Sequence, residues 1–210
     1  MSACSSQTLS LFRPFTLSLM DLYLIRHTSV AVPRSVCYGQ SDVDLGETYE
    51  TEKARIQSLL PAGPLAEVWA SPLSRCRRLA EDLHPQPRFD DRLKEFHFGD
   101  WELLPWNDIP AERLDPWMAD FVNVRVPNGE HFQEFYERVT TFWQDTIHPL
   151  LTAEPPSSVA LVTHGGVIRC LLCLFLDLSL RSAYRLHLDY GSVSRVAVFP
   201  THSTIQYINR

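Results

Sequence analysis

Two histidines stand directly after two apolar segments that are typical of buried strands. His27 follows the run Leu22–Arg26, and His164 follows the run Val159–Thr163. If these strands are neighbours in a parallel sheet, both imidazoles lie at its carboxyl edge, where they can face each other. A single histidine after a strand is more often a hydrogen-bonded bystander. Two histidines in equivalent positions favour a functional role.

The residues beside these histidines are those that bind an anion. Arg26 precedes His27, and Gly165 and Gly166 follow His164. Glycines let the backbone approach a ligand closely, and the helix that they open directs its first N–H groups and its positive dipole end to the same point. The sequence therefore predicts an anion site at this edge.

Three further segments contain candidate groups, each with a structural alternative. Arg75 stands one residue into a predicted helix, after a turn that begins at Ser71; the alternative, a solvated basic face, fits Arg78 better. Glu95 lies among aromatic residues, which would raise its pKa as a general acid requires; the alternative is a salt-bridged loop acid. The segment Cys37–Asp42 is turn-like and rich in donors, and its alternative is an ordinary loop.

The composition and several absent motifs exclude other classes of protein. With 19 Lys and Arg against 25 Asp and Glu, the net charge of −6 argues against a nucleic-acid-binding protein. The longest apolar stretch, Cys170–Leu176, is far shorter than the roughly 20 residues that cross a bilayer. No glycine-rich nucleotide motif, nucleophile elbow or His-Glu-x-x-His zinc motif occurs. Five cysteines without framework spacing fit a reducing compartment, so we expect a cytoplasmic protein.

Hydrophobic periodicity predicts alternating strands and helices, and hence an α/β fold. We expect a three-layer sandwich in which a mostly parallel sheet has helices on both faces. Residues 20–210 are predicted to form a single domain, with 1–19 as a disordered tail or an upstream start and 100–127 as a cap-like excursion. The predicted strands are Leu22–Arg26, Glu67–Ala70, Val159–Thr163, Tyr184–Asp189, Val193–Phe199 and Thr204–Ile208, and the predicted helices are Glu47–Leu60, Ser74–Leu83, Glu130–His148 and Gly166–Leu176.

The order of the candidate segments resembles that of the histidine phosphatase superfamily, whose members include the phosphoglycerate mutases. The resemblance implies a phosphoglycerate mutase-like fold and a metal-independent phosphomonoesterase. Within the superfamily the sequence most resembles the α-ribazole phosphatases, which implies α-ribazole 5′-phosphate as substrate in cobalamin biosynthesis. The segments that carry the resemblance are Arg26-His27-Thr28, Cys37-Tyr-Gly39-Gln40-Ser41-Asp42, Ser71-Pro-Leu-Ser-Arg75-Cys, Glu95-x-x-x-Gly99-x-Trp101-Glu102 and Thr163-His164-Gly165-Gly166-Val-Ile-Arg169.

The resemblance also implies a role for each matched residue. His27 would be the nucleophile that becomes phosphohistidine, and Glu95 would give the leaving group its proton. Arg26, Arg75 and His164 would grip the phosphoryl oxygens. Substrate contacts are implied for Thr28, Gly39, Gln40, Ser41 and Gly165. No metal ligand and no cofactor is implied, and the only partner expected is a small phosphorylated substrate.

Two departures from the family pattern leave the substrate open. His131 stands where the family often has serine, and Leu103 where glycine is common. The alternatives are a phosphatase of sugar phosphates or nucleotides, a mutase, and a non-catalytic module that binds phosphorylated ligands. Three tryptophans of the cap, Trp101, Trp106 and Trp117, could stack on an aromatic substrate or pack the cap against the core. The sequence does not indicate an oligomeric state.

Overall fold

The computed structural model describes residues 19–151 and 158–210, and these contain one six-stranded sheet. The strands are β1 (Met20–Arg26), β2 (Glu67–Ala70), β3 (Arg88–Phe89), β4 (Ser158–Thr163), β5 (Val193–Val198) and β6 (Ser203–Tyr207). Their order across the sheet is β3-β2-β4-β1-β5-β6. The first four strands in this order run parallel, whereas β5 is antiparallel to β1 and β6 is antiparallel to β5. The sheet is therefore mostly parallel, as predicted.

Helices cover both faces of the sheet. In the described residues the α-helices are α1 (Tyr49–Leu59), α2 (Ser74–Leu83), α3 (Ala111–Ala119), α4 (Phe132–Phe142) and α5 (Gly165–Phe175). Successive side chains of a strand point to opposite faces. Leu22 and Leu24 of β1 thus join a core with α4 and α5, whereas Tyr23 and Ile25 join another with α1 and α2. The predicted three-layer α/β sandwich is confirmed.

One predicted strand is wrong. Residues Leu180–Arg185 form a 3₁₀ turn, and residues 186–189 pair with no strand, so Tyr184–Asp189 is not part of the sheet. The alternation of apolar and polar residues in this segment arises because Leu186 and Leu188 of the loop pack on the core around α5. Tyr184, at the same period, does not share this burial and is 47% exposed. A loop packed on one side produces the same period of two as a half-buried strand.

The bounds of the long predicted helix also differ from the prediction, because its hydrogen-bonding pattern changes along its length. The long helix expected from Glu130 begins at Phe132, ends as an α-helix at Phe142 and continues as a π-helical turn over Trp143–Ile147. The strand β3 and the helix α3 were not predicted. Of the predicted tail 1–19, all but Leu19 lies outside the described residues.

The predicted cap, residues 100–127, consists of short turns and the helix α3. Trp101 and Trp117 belong to the same core as Phe96 and Phe132, so they fasten this segment to the sandwich. Over the described ranges, no helix is long and apolar enough to span a membrane. The single-domain division and the cytoplasmic location stay predictions.

Candidate active site

The two histidines lie side by side at the carboxyl edge of the sheet. Strands β1 and β4 are parallel neighbours in which Arg26 is paired with Thr163, so the next residue of each strand is a histidine. The backbone N–H of His27 donates to the carbonyl of Thr163 at 2.9 Å. The ring centroids of His27 and His164 are 5.1 Å apart, and the rings are inclined by 64°. Both residues are almost fully buried.

The tautomer of His27 is fixed by its neighbour. Its Nδ1 atom lies 2.7 Å from the carbonyl oxygen of Thr28. Because a carbonyl only accepts, Nδ1 carries the hydrogen and Nε2 has a free lone pair. Burial, followed by the charges of Arg75 and Arg26, holds the pKa of His27 well below its usual range. The ring is therefore neutral at physiological pH, and its Nε2 atom is nucleophilic.

His164 is held by a hydroxyl group. Its Nε2 atom lies 2.8 Å from Oγ of Ser71, which follows strand β2. Burial is the main cause that lowers the pKa of His164, followed by the charges of Arg75, His27 and Arg26. A phosphoryl dianion beside it would oppose these positive charges and favour its protonated form.

Arg75 is held in place by two backbone carbonyls and is fully buried. Its Nη1 atom donates to the carbonyl of Ser41 at 2.9 Å, and its Nη2 atom donates to that of Gly39 at 2.7 Å. The residue before it, Ser74, donates its backbone N–H and its hydroxyl to Asp42, which thereby caps helix α2. The alternative of a solvated basic face is therefore wrong for Arg75.

Three buried polar atoms at this edge have no hydrogen-bond partner among the described residues. They are Nε of Arg26, Nε of Arg75 and Oγ1 of Thr28. A buried donor without a partner costs about 1–3 kcal/mol, so this arrangement suits an anion that accepts from them. Helix α5 begins at Gly165, directly after His164, and adds its positive N-terminal end. We refer to His27, His164, Arg26, Arg75 and Thr28 as the phosphate pocket, after the group that the sequence predicts it to bind.

Glu95 lines a cleft of about 210 Å³ that also includes Arg26. Its two carboxylate oxygens accept from the backbone N–H groups of Phe96, at 2.9 Å, and Gly166, at 3.1 Å. A Cβ atom at Gly166 would collide with Oε1 of Glu95, so a larger residue there would displace this carboxylate. We refer to this space as the Glu95 cleft.

Two residues that position Glu95 were not predicted. Arg138 of α4 donates to the carbonyl of Glu95 at 2.8 Å, and its guanidinium pairs with Glu130 at 2.6 Å. Glu130 in turn accepts from the backbone N–H of His97 at 2.8 Å. Arg138 interrupts an otherwise apolar stripe that contains Phe135, and a charge in such a stripe is the signal that could have revealed it.

The other predicted substrate contacts are placed as follows. The Gln40 side chain donates to the carbonyl of Glu95 at 2.9 Å, and the Ser41 hydroxyl donates to Glu102 at 2.6 Å. Gly39 is buried with φ of +43°, a conformation that favours glycine. Gly165 lies beside Arg26 and Arg169. Contacts of these residues with substrate stay predictions.

A pair of tyrosines, which sequence reasoning missed, flanks His27. The hydroxyls of Tyr38 and Tyr190 are 2.8 Å apart, and the ring centroids lie 6.4 Å and 5.4 Å from that of His27. Tyr190 also stacks on Arg26, whose Cζ atom is 4.0 Å from the ring centroid. Arg26 donates from Nη1 to the carbonyl of Leu188 at 2.6 Å.

An apolar cleft of about 520 Å³ adjoins the Glu95 cleft, and we refer to it as the aromatic cleft. Phe98, Trp106 and Tyr184 line both spaces, so they are continuous. Trp101 is buried in the core and does not line the aromatic cleft. His131 lines neither space; its Nδ1 accepts from the N–H of Gln133 at 3.2 Å and caps α4 in place of a serine hydroxyl.

The described residues include no group of three His, Cys, Asp or Glu side chains placed to hold a metal ion. The predicted independence from metals and other cofactors stays a prediction. The fold and the site together define an α/β sandwich in which two buried histidines and two arginines form an anion pocket at the carboxyl edge of the sheet.

Comparison with known proteins places this chain in a family. A family model described as histidine phosphatase superfamily (branch 1) matches residues 22–210, and the chain belongs to that superfamily. The protein is a phosphatase.

Its relatives have different names. An adenosylcobalamin/alpha-ribazole phosphatase of Salmonella typhimurium is 27% identical over 198 residues, which are 90% of this chain and 96% of the relative. A Cronobacter sakazakii protein named Probable phosphoglycerate mutase is 30% identical over 85% of each chain. The crystal structure of the alpha-ribazole phosphatase from Shigella flexneri has a TM-score of 0.81 and 25% identity, covering 91% of this chain and 96% of that one.

Proposed function

We propose that the protein hydrolyses phosphomonoesters through a phosphohistidine formed on Nε2 of His27. The observation that carries this proposal is the geometry of His27. Its Nδ1–H is bound to the carbonyl of Thr28, and its pKa is lowered by burial and by the charges of Arg75 and Arg26, so Nε2 keeps a free lone pair on a neutral ring. A pocket that only bound phosphate would not need this arrangement.

In the first half-reaction, a bond forms between Nε2 of His27 and phosphorus, and the bond from phosphorus to the leaving oxygen breaks. Glu95 in its protonated form gives its proton to that oxygen, which would otherwise depart as a strongly basic alkoxide. Arg26 and Arg75 offer planar forks to the equatorial oxygens of the phosphoryl group. Because Nδ1 keeps its hydrogen, the phosphorylated ring is cationic and can later act as a leaving group.

In the second half-reaction, a water molecule attacks phosphorus and the bond to Nε2 of His27 breaks. The Glu95 carboxylate, left unprotonated by the first step, accepts the proton of that water. Inorganic phosphate is released, and both residues return to their starting states. The two displacements divide one difficult reaction into two easier ones.

For the substrate we propose α-ribazole 5′-phosphate. The sequence segments that most resemble α-ribazole phosphatases, at Cys37–Asp42 and Val162–Arg169, lie around the phosphate pocket and the Glu95 cleft. The aromatic cleft supports this choice, because a benzimidazole is an apolar ring that stacks on tryptophan and phenylalanine. Two relatives named as alpha-ribazole phosphatases also support it.

The intermediate is tested by trapping. The protein is mixed with a substrate labelled in its phosphoryl group and then quenched in alkali or in acid. We expect covalent label that survives alkali and is lost in acid, and no label on His27→Asn. The exposed His202, replaced by Asn, serves as the matched control and should keep the label. Label on His27→Asn would overturn the assignment of the nucleophile.

The substrate is tested by comparing kcat/KM for α-ribazole 5′-phosphate, phosphoglycerates, nucleoside 5′-phosphates and sugar phosphates. We expect α-ribazole 5′-phosphate to have the highest value. A phosphoglycerate that is isomerised rather than hydrolysed would instead indicate a mutase.

A further inference from the structure

Three arginines line another cleft beside the phosphate pocket. Arg26, Arg34 and Arg169 surround a space of about 260 Å³ together with residues 187–190. The same three arginines line the Glu95 cleft, so the two spaces are continuous. We refer to the new space as the basic cleft. The Glu95 cleft is therefore continuous with two other spaces, the aromatic cleft and the basic cleft.

The arginines of the basic cleft are oriented by groups that do not neutralise them. Arg169 donates from Nε to the carbonyl of Leu186 at 3.0 Å, and Arg26 donates to the carbonyl of Leu188. The Cζ atom of Arg34 lies 5.6 Å from the ring centroid of Tyr190. Each contact leaves donor nitrogens of the guanidinium available to a ligand.

No carboxylate of the described residues forms an ion pair within 4.0 Å of Arg34 or Arg169. Burial lowers the pKa of Arg169 because it removes the charge from water, and the nearby Tyr184 and Glu95 offset this effect only in part. Positive charges held together in this way favour an anionic ligand, and arginine forks suit phosphoryl oxygens in particular.

Two carboxylates face the arginines, but their oxygens already accept hydrogen bonds from other groups. Asp189 lies 3.1 Å from Nε2 of His187 through Oδ1 and accepts from the side chain of Asn209 through Oδ2. Glu95 accepts from two backbone N–H groups. Neither carboxylate forms an ion pair with the guanidinium groups of the basic cleft.

We propose that the basic cleft binds a second phosphoryl group of the substrate, carried by the leaving alcohol, through Arg34 and Arg169. Phosphate esters that carry a further phosphoryl group on the alcohol should then bind more tightly than the matching monoesters. This inference rests on the proposed function, because it takes the phosphate pocket as the site of the phosphoryl group that is removed. It concerns ligands other than α-ribazole 5′-phosphate, which carries a single phosphoryl group and would occupy the phosphate pocket and the aromatic cleft.

The test uses adenosine 5′-monophosphate and adenosine 3′,5′-bisphosphate, which differ only in the second phosphoryl group. Their affinities are measured by calorimetry with His27→Asn, so that neither ligand is hydrolysed. We expect the bisphosphate to bind about tenfold more tightly, as one added charge-assisted contact provides. The difference should shrink as salt is added.

Variants identify the arginines responsible. Arg34→Gln, introduced into the His27→Asn protein, should reduce the preference for the bisphosphate to about threefold or less. Arg169→Gln should have the same effect, and the exposed position of Arg34 ensures that at least one variant folds. Arg55→Gln removes the same charge from an exposed position on α1 and should keep the parental preference.

The possible failures are distinguishable. If both ligands bind equally, or if the preference survives both arginine substitutions, the basic cleft does not recognise the second group and this inference is overturned, whereas the proposed function stands. If neither ligand binds, the phosphate pocket itself is wrong, and the proposed function is overturned together with the inference.

Discussion

Ser41 donates two hydrogen bonds to one oxygen of Glu102, from its backbone N–H and from its hydroxyl, and both distances are 2.6 Å. The other oxygen of Glu102 accepts from the backbone N–H groups of Gln40 and Phe98, both at 3.0 Å. This carboxylate therefore holds the loop 38–41, whose carbonyls hold Arg75. The cap and the phosphate pocket are coupled through one acidic side chain.

We predict that Glu102→Gln weakens both stability and catalysis. The amide cannot accept from all of these donors, and its NH₂ group would face an N–H group. We expect the free energy of unfolding in urea to fall by about 1–3 kcal/mol, and kcat/KM for 4-nitrophenyl phosphate to fall about tenfold or more as Arg75 loses its fixed position. Asp100→Asn, at an exposed neighbouring position, is the control. Unchanged kcat/KM in Glu102→Gln would show that the loop does not depend on this carboxylate.

The sequence was sufficient to predict that the two histidines lie together at the sheet edge, because their positions depend only on the strands that directly precede them. Each follows an apolar strand directly, and the strand alone carries its side chain to the sheet edge. Arg75 was predicted for the same reason, since it lies in the first turn of a helix that follows strand β2 closely.

Other parts of the site depend on contacts between distant segments. Tyr190 reaches His27 because residues 186–190 pack along α5, and the sequence of that loop imitates a strand. Glu102 and Arg138 act on backbone groups of segments far from them in the chain. Neither periodicity nor motif spacing contains this information, because it arises only when the loops are packed.

A second prediction concerns the proton donor. Glu95→Gln should lower kcat/KM for an alkyl phosphate by roughly 10²–10⁴-fold, because the alkoxide then departs without a proton. The loss should be far smaller for 4-nitrophenyl phosphate, whose leaving group is acidic and needs no protonation. The aryl substrate is the internal control. Equal losses on both substrates would remove Glu95 from the role of general acid.

A third prediction follows from the lowered pKa values of His27 and His164. The native protein resists protonation of these rings, whereas the unfolded chain binds protons near the usual pKa of 6.5. The two neutral rings therefore contribute their full share to the free energy of unfolding above about pH 6.5. This contribution is lost as the pH falls below that value. When the free energy of unfolding is plotted against pH, each ring contributes up to about 1.4 kcal/mol per pH unit to the slope.

Urea unfolding between pH 5 and pH 8 measures this slope. His164→Gln should remove the contribution of one buried ring to this slope. His202→Gln, at an exposed position, reports the effect of removing a histidine outside the site. A stability that rises as the solution is acidified from pH 6.5 would contradict the neutral state of the two buried rings.

The last prediction separates two tryptophans of the cap. Trp106 is partly exposed and lines the aromatic cleft, whereas Trp101 is buried in the core. Trp106→Ala should raise KM for α-ribazole 5′-phosphate about tenfold, because a stacking surface is lost. KM for acetyl phosphate, which has no ring, should change little.

Trp101→Ala should instead lower the free energy of unfolding by about 3–5 kcal/mol, because it leaves a cavity among Phe96, Trp117 and their neighbours in the core. Kinetics with both substrates and urea unfolding of both variants distinguish the two effects. If Trp106→Ala destabilises the protein as strongly as Trp101→Ala and leaves both KM values alone, Trp106 only packs the cap. The aromatic cleft would then no longer support an aromatic substrate.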